Sequence, residues 1–446
     1  MGKIFAFIIV ILGFFIAYFA PDRYEYSYSI ICGIVYAIII IMYYVVRKKD
    51  NYFDFDSLFF FTLFFVTLYY PIFMYETDAT RYVFFLFPFD YHVIPKSSSL
   101  AVLGAACYIF GSLFVKNSQE TKKVTEVEQQ DYRPIKTKKF YSIALVLFVL
   151  YVLTGGYQEL RSVYFGGNYE ANVVAKYINL FCPPFLFAGI ICDFYNMKNL
   201  SPKKFQLKKI SKIAYISIGI IVLGLVFAGS RTIPLQVILM IFGLYSLLYR
   251  KISLLRFFTF IIVGLTIMFT IVVSRGYNQD SKYSAADVVM DLIINNRNNF
   301  LAVEEVNNHG FTYGTSLLSQ FVAPVPFFQN LLLEMGLKEQ DITSQKLFTY
   351  LTYEELAKFY GVGTTIIADV YIAYGEIGIF FFMAFLGYFI NKNRVNSQNS
   401  IFSMTIYGVL ISYAVYLARA EYFFFMRYLI WTLVVVFFAT KKIKFT

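Results

Sequence analysis

The sequence predicts an all-α integral membrane protein with about twelve transmembrane helices and one large, partly helical extracytoplasmic loop. Three observations lead there. Of 446 residues, 59% are hydrophobic and only 15% charged, with a mean hydropathy of +0.60. A soluble domain carries about 25% charged residues, so the apolar excess needs lipid to face. Apolar stretches of about 15–25 residues, enough to cross a hydrocarbon core ~30 Å thick, recur along the whole chain. The segments between them alternate in basic charge, as inner and outer loops do.

In order, the stretches lie at 4–20, 29–46, 58–75, 98–115, 140–154, 173–195, 213–228, 233–248, 254–274, 364–390, 401–417 and 423–440. The first follows Met1-Gly2-Lys3 and has the form of a signal peptide. Ala17-Tyr18-Phe19-Ala20-Pro21 lacks a small-x-small cleavage site, so the stretch is read as a span. Pro183-Pro184 and Pro234 fall inside spans, where neighbouring helices can satisfy the freed backbone groups. Cys32, Cys107, Cys182 and Cys192 sit in apolar runs without any CxxC pair, so they read as small core residues rather than zinc ligands or disulfides.

With Lys3 placed in the cytoplasm, 25 of the 39 basic residues gather on that side. They lie in Arg47-Lys48-Lys49, the loop 116–139, the segment 198–212, Arg250-Lys251 with Arg256, Lys392 with Arg394, and the tail from Lys441. The formal charge of +11 therefore belongs to topology and not to nucleic-acid binding. Both termini are expected in the cytoplasm. The chain divides into nine spans over 1–274, an outer loop over 275–363 that caps a cavity, and three spans over 364–446.

A second asymmetry bears on function. Eight arginines fall on the outer side: Arg23, Arg81, Arg161, Arg231, Arg275, Arg297, Arg419 and Arg427. Topology selection treats Lys and Arg alike, whereas the guanidinium is a planar fork suited to bidentate binding of phosphate or carboxylate. Arg23 and Arg81 have Asp22, Glu25 and Asp78 nearby and are read as surface residues. Arg231 and Arg275 end spans with no acid within four residues, so an anionic ligand or a distant partner must compensate them. Arg419 and Arg427, eight residues apart at the start of the last span, are expected on one helix face lining one cavity.

In the long loop, 284–306 reads as a helix with Val288, Leu292, Phe300 and Val303 on an apolar side and Asp287, Asp291, Asn295 and Asn298 on another. A break is expected over 307–310, a turn at Ala323-Pro-Val-Pro326, and a second helix near 343–360 with a capping box at Thr352-x-x-Glu355. His309 is one of two histidines, and neutral imidazole suits a general base for a sugar hydroxyl. Glu304 and Glu305 are alternatives for that role. Asp369 is an intramembrane acid and hence a site candidate, or the structural partner of an arginine. No Walker loop, zinc signature, Gly-x-Ser-x-Gly elbow or outer Asp-x-Asp pair is present, so a reaction without metal or cofactor is expected.

On these residues the chain resembles the Wzy-type O-antigen and capsule repeat-unit polymerases, a family similar in fold to the O-antigen ligases. The resemblance covers most of the chain in topology and four stretches in motif. They are Phe227-Ala-Gly-Ser-Arg231; Arg297 followed by His309-Gly310 and Tyr313-Gly314; Ala323-Pro-Val-Pro326; and Thr364-Thr-Ile-Ile-Ala-Asp-Val-Tyr371 with Tyr374-Gly-Glu-Ile-Gly378. It implies a metal-independent, GT-C-like glycosyltransferase on the outer face of the bacterial inner membrane. A growing glycan on undecaprenyl pyrophosphate would be the donor and a lipid-linked repeat unit the acceptor. Membrane lipids and a chain-length regulator are further candidate partners. Arg231, Arg275 and the Arg419/Arg427 pair would hold pyrophosphate, with Arg161, Arg297, Tyr313 and Asp369 as further substrate-binding candidates. His309 lacks the arrangement that follows the ligase histidine, which favours polymerase over ligase. A lipid-linked oligosaccharide flippase is the rival from another class; it needs a cavity reachable from both sides and usually two related halves, and no repeat is seen.

Overall fold

A computed structural model describes residues 2–74, 89–116, 133–165, 169, 173–201, 205–274, 290, 292–352 and 361–441. Among the described residues every regular element is helical. The first ten helices are α1 Gly2–Tyr18, α2 Tyr26–Val46, α3 Phe55–Thr67, α4 Ile94–Leu113, α5 Lys138–Leu153, α6 Gly156–Phe165, α7 Val173–Leu200, α8 Lys212–Phe227, α9 Thr232–Leu248 and α10 Leu254–Ser274. The loop region carries α11 Asn296–His309 and the short helices α12 Leu318–Val322, α13 Phe328–Glu334, α14 Glu339–Ile342 and α15 Ser344–Thr352. The chain returns through α16 Ile366–Asn396, α17 Ile401–Ser412 and α18 Met426–Thr440.

Each apolar stretch of the sequence coincides with a helix, but the helices differ in reach. Four have the length and hydropathy to cross a membrane: Tyr26–Val46, Tyr91–Leu113, Tyr177–Leu200 and Ile366–Asn396. The pair α5 and α6, bent by 71°, makes a fifth if taken as one span. Seven further apolar helices have 10–17 residues, and 17 residues rise only about 26 Å. The four cysteines are unpaired and buried, as small core residues should be.

Helices α4 and α16 form the centre, with α1 and α2 packed on α4. Their backbones touch because the contact is glycine on carbonyl. A Cβ added at Gly111 would strike the Ala384 carbonyl, and one at Gly387 the Tyr108 carbonyl. Close approach at small residues is what drives helices together where lipid supplies no hydrophobic force.

At one end of this core a polar network ties α2, α3, α4 and α16. Asp56 accepts from Tyr43 at 2.6 Å, Tyr108 at 2.5 Å and Asn391 at 3.3 Å. Asp54 caps α3 through Ser57 and pairs with Lys49 at 2.7 Å and Arg394 at 3.3 Å. Arg47 donates to Asn391 and to the Ser112 carbonyl. The long loop lies at the other end, beside the first turn of α16.

The loop corrects several expectations. Helix α11 runs on through His309 and stops at Gly310, whose φ of +83° ends it, so 307–309 is not a break. Asn295 and Asn298, expected on a side apart from the apolar one, are buried, as are Asn296 and Asn299. Their amides serve carbonyls at the end of α3 and in the loop before α16: Asn296 donates to Phe65 at 2.6 Å, Asn299 to Val66 at 2.9 Å and Asn298 to Val362 at 3.2 Å. Thr352 is the last described residue of α15, and its hydroxyl bonds the Phe348 carbonyl. Glu355 and the rest of the predicted helix beyond 352, like 284–289, lie outside the described residues.

Candidate functional site

The site is built where α18 meets the loop. Arg427 is the second residue of α18, so its charge adds to the positive end of the helix dipole. Its Nε donates to the Ala323 carbonyl at 3.2 Å and a terminal nitrogen to Gln329 Oε1 at 3.4 Å. One turn on, the indole of Trp431 donates to the Pro324 carbonyl at 3.0 Å. These bonds seat the Ala323-Pro-Val-Pro326 turn, whose prolines have no N–H to give, on α18. Between them opens a cavity of about 170 Å³ lined by Tyr177, Leu180, Ala323, Val325, Pro326, Phe327, Gln329, Asn330 and Arg427. Among the described residues Arg427 meets only neutral oxygens, which leaves a guanidinium facing a cavity without a matching anion.

A pair of buried acids lies at the start of α16 and in the 420–425 turn. Asp369, in the first turn of α16, accepts the Tyr422 N–H at 2.8 Å, while its Oδ1 makes no hydrogen bond among the described residues. Glu421 accepts the Gln345 N–H at 3.4 Å at the start of α15. No ion pair to either carboxylate occurs among the described residues. Burial pushes the Glu421 carboxyl up to about 7. The two acids thus pin α15 and the 420–425 turn to α16.

A break in α16 receives the Phe311–Gly314 segment. Gly375 adopts φ +65° and ψ −154°, which interrupts the helix. The Ile372 carbonyl instead accepts the Thr312 N–H at 2.9 Å and its hydroxyl at 3.3 Å. Phe311 fills the space where a Cβ at Gly375 would stand, and Tyr374 does the same at Gly314. Glu376 pairs with Lys96 of α4 at 2.6 Å. Both motif stretches owe their glycines to this joint.

The remaining sequence candidates are dispersed. His309 is 70% exposed and pairs with Glu305 at 3.0 Å, and Glu304 accepts the Asp90 N–H at 3.2 Å. No hydrogen bond or ion pair among the described residues joins these three to the Arg427 cavity. Arg231 precedes α9, with its carbonyl taking the Tyr416 hydroxyl at 3.3 Å. Gly229, at φ +87°, makes the tight α8–α9 turn before it. Arg297 is buried and donates to the Thr352 hydroxyl at 2.7 Å, a link from α11 to α15. Arg161 is exposed on α6, and Tyr313 is 78% exposed. Arg419 ends a 3-10 turn, and a non-helical stretch separates it from α18, so Arg419 and Arg427 do not share one helix face. Arg275 lies outside the described residues. The sequence reading passed over Glu421, Phe327, Tyr177 and Trp431. The lone tryptophan four residues after an intramembrane arginine was a usable signal for the last of these.

Bundle and cavity together define an integral membrane protein with a polar site at one end of its helices, bordered by a long loop. The comparison with protein families narrows the class. The model for the O-antigen polysaccharide polymerase Wzy matches residues 3–444, nearly the whole chain, and the chain belongs to that family. Its function is therefore of the O-antigen polymerase type, a glycosyltransferase-like polymerase of polysaccharide biosynthesis that works with lipid-linked repeat units. No curated protein and no solved structure matches it.

Proposed function

We propose that this polymerase moves a growing glycan from undecaprenyl pyrophosphate to the non-reducing end of a lipid-linked repeat unit, on the outer face of the bacterial inner membrane. The family match favours this over the ligase and flippase readings. The observation that carries the site assignment is Arg427, a guanidinium on a loop-bordered cavity whose described partners are all neutral. An acceptor hydroxyl attacks the anomeric carbon of the donor sugar, the bond to pyrophosphate breaks, and its electron pair leaves on the pyrophosphate. Arg427 stabilises that developing charge, with Arg231 at the positive end of α9 and Arg275 as further cations. The hydroxyl proton passes to His309, which Glu305 orients. The alternating lysines support cytoplasmic termini and an outer loop over 275–363.

The test is chain extension by purified protein supplied with lipid-linked repeat units in excess EDTA. Since arginines supply the positive charge in this reading, extension should persist. The His309→Ala variant should bind the repeat unit and fail to extend it. Loss of wild-type activity restored by Mg²⁺ would overturn the metal-free reading, and normal extension by His309→Ala would remove the base assignment.

A further inference from the structure

We propose that Phe327, with Tyr177, forms a sugar-stacking wall in the Arg427 cavity, a subsite for the pyranose ring that carries the phosphate. The proposal rests on the reading of Arg427 as the anion-binding residue.

The backbone of Phe327 is the first observation. It stands at φ +66° and ψ −10°, in the left-handed region that bulky side chains avoid. Burial compensates little, because the residue is 64% exposed. Strain held at a residue that gains so little burial points to a ring displayed for contact. The second observation is the neighbour. Tyr177 reaches over from α7 so that the two ring centroids lie 4.8 Å apart at 40°, and both residues line the cavity. The third is the mixed lining, to which Asn330, Gln329 and Arg427 add amides and a cation.

A lipid-linked sugar has the matching two-sided character. One face of a pyranose presents C–H bonds, and these rest well on the electron-rich face of an aromatic ring. Its hydroxyls project around the rim, where the Asn330 amide can donate and accept. Its anomeric carbon bears the phosphate, which a guanidinium binds in bidentate fashion. Rings on one wall and a guanidinium on another suit a glycosyl phosphate better than free phosphate, which has no use for the rings.

The competing role for an exposed aromatic on a membrane protein is a seat among lipid headgroups, and the choice of variants separates the two. Phe327→Leu keeps apolar bulk and loses the ring; Phe327→Trp keeps a ring; Tyr177→Leu removes the second ring. Each is purified and assayed for extension of lipid-linked repeat units against wild type. The subsite predicts that both Leu variants raise KM about tenfold with kcat nearly unchanged, the pattern of lost binding shared by ground and transition states. Phe327→Trp should stay near wild type. Normal KM in both Leu variants would overturn the subsite. Arg427→Lys, run in parallel, distinguishes the two failures. If it loses extension while the Leu variants are normal, only the sugar wall falls; if it also extends normally, the cavity is not the site.

Discussion

Asp56 at one end of the bundle and Asp369 at the other are both buried carboxylates, yet their surroundings differ. Asp56 takes hydrogen bonds from Tyr43, Tyr108 and Asn391 and faces the charges of Lys49, Arg394 and Arg47. Asp369 faces a second acid, Glu421, and the pair accepts the backbone N–H groups of Tyr422 and Gln345 together with neutral side-chain donors such as Ser344. Arg394 and Asp369 both lie on α16, 25 residues apart and on opposite sides of its break at Gly375. At the first end cations meet anions in a network that ties four helices together. Among the described residues of the loop end an acid meets an acid and the cation Arg427 meets neutral oxygens. Under the proposed function that end is the working site, and the difference between the two ends lies in charge pairing, since both are buried.

The comparison can be broken from either side. The largest expected effect is on stability. Asp54→Asn removes the carboxylate that pairs with Lys49 and Arg394, a loss of roughly 3–5 kcal/mol for a broken buried pair, read as a lower Tm in detergent. An unchanged Tm would mean that the network does not hold the helices. The next effect is smaller and depends on pH. Glu421 has its folded-state value raised from 4.5 to about 7 by burial, so the folded protein binds the extra proton between those values. Its contribution to stability is complete below pH 4.5 and lost as pH rises through 7, roughly 1–3 kcal/mol in all. Glu421→Gln, neutral at every pH, should flatten the fall in Tm between pH 5 and pH 8. Parallel profiles for variant and wild type would show that Glu421 titrates as an ordinary carboxylate.

Helix positions were legible because apolar runs of this length favour helix, and all twelve stretches contain a helix, of which four, or five with the bent pair, have the length and hydropathy of a span among the described residues. The loop was less legible for a physical reason. Asn295 to Asn299 look like a polar edge, but an amide can serve a buried carbonyl as well as water, and periodicity does not distinguish the two. Arg427 stood out as a cation inside an apolar run. Arg419 seemed its equal until the 420–425 turn broke the helix between them. Phe327 gave no signal, since a left-handed phenylalanine is a property of the folded loop and not of composition. Glu421 looked like a local partner for Arg419, yet its hydrogen bond runs to Gln345 and its charge meets Asp369.

The contrast between the two ends is tested most directly by one pair of charge-conserving substitutions, Arg427→Lys and Arg394→Lys, each measured for Tm and for extension rate per folded molecule. Lysine keeps the charge and loses the fork. At Arg427 the missing charge-assisted bond is worth about 1.5–3 kcal/mol, so extension should fall about ten- to a hundredfold with Tm unchanged. At Arg394 the same change should lower Tm and leave the rate per folded molecule near wild type. Wild-type extension by Arg427→Lys, or a fall in Tm that accounts for its lost activity, would contradict the assignment of the loop end to chemistry.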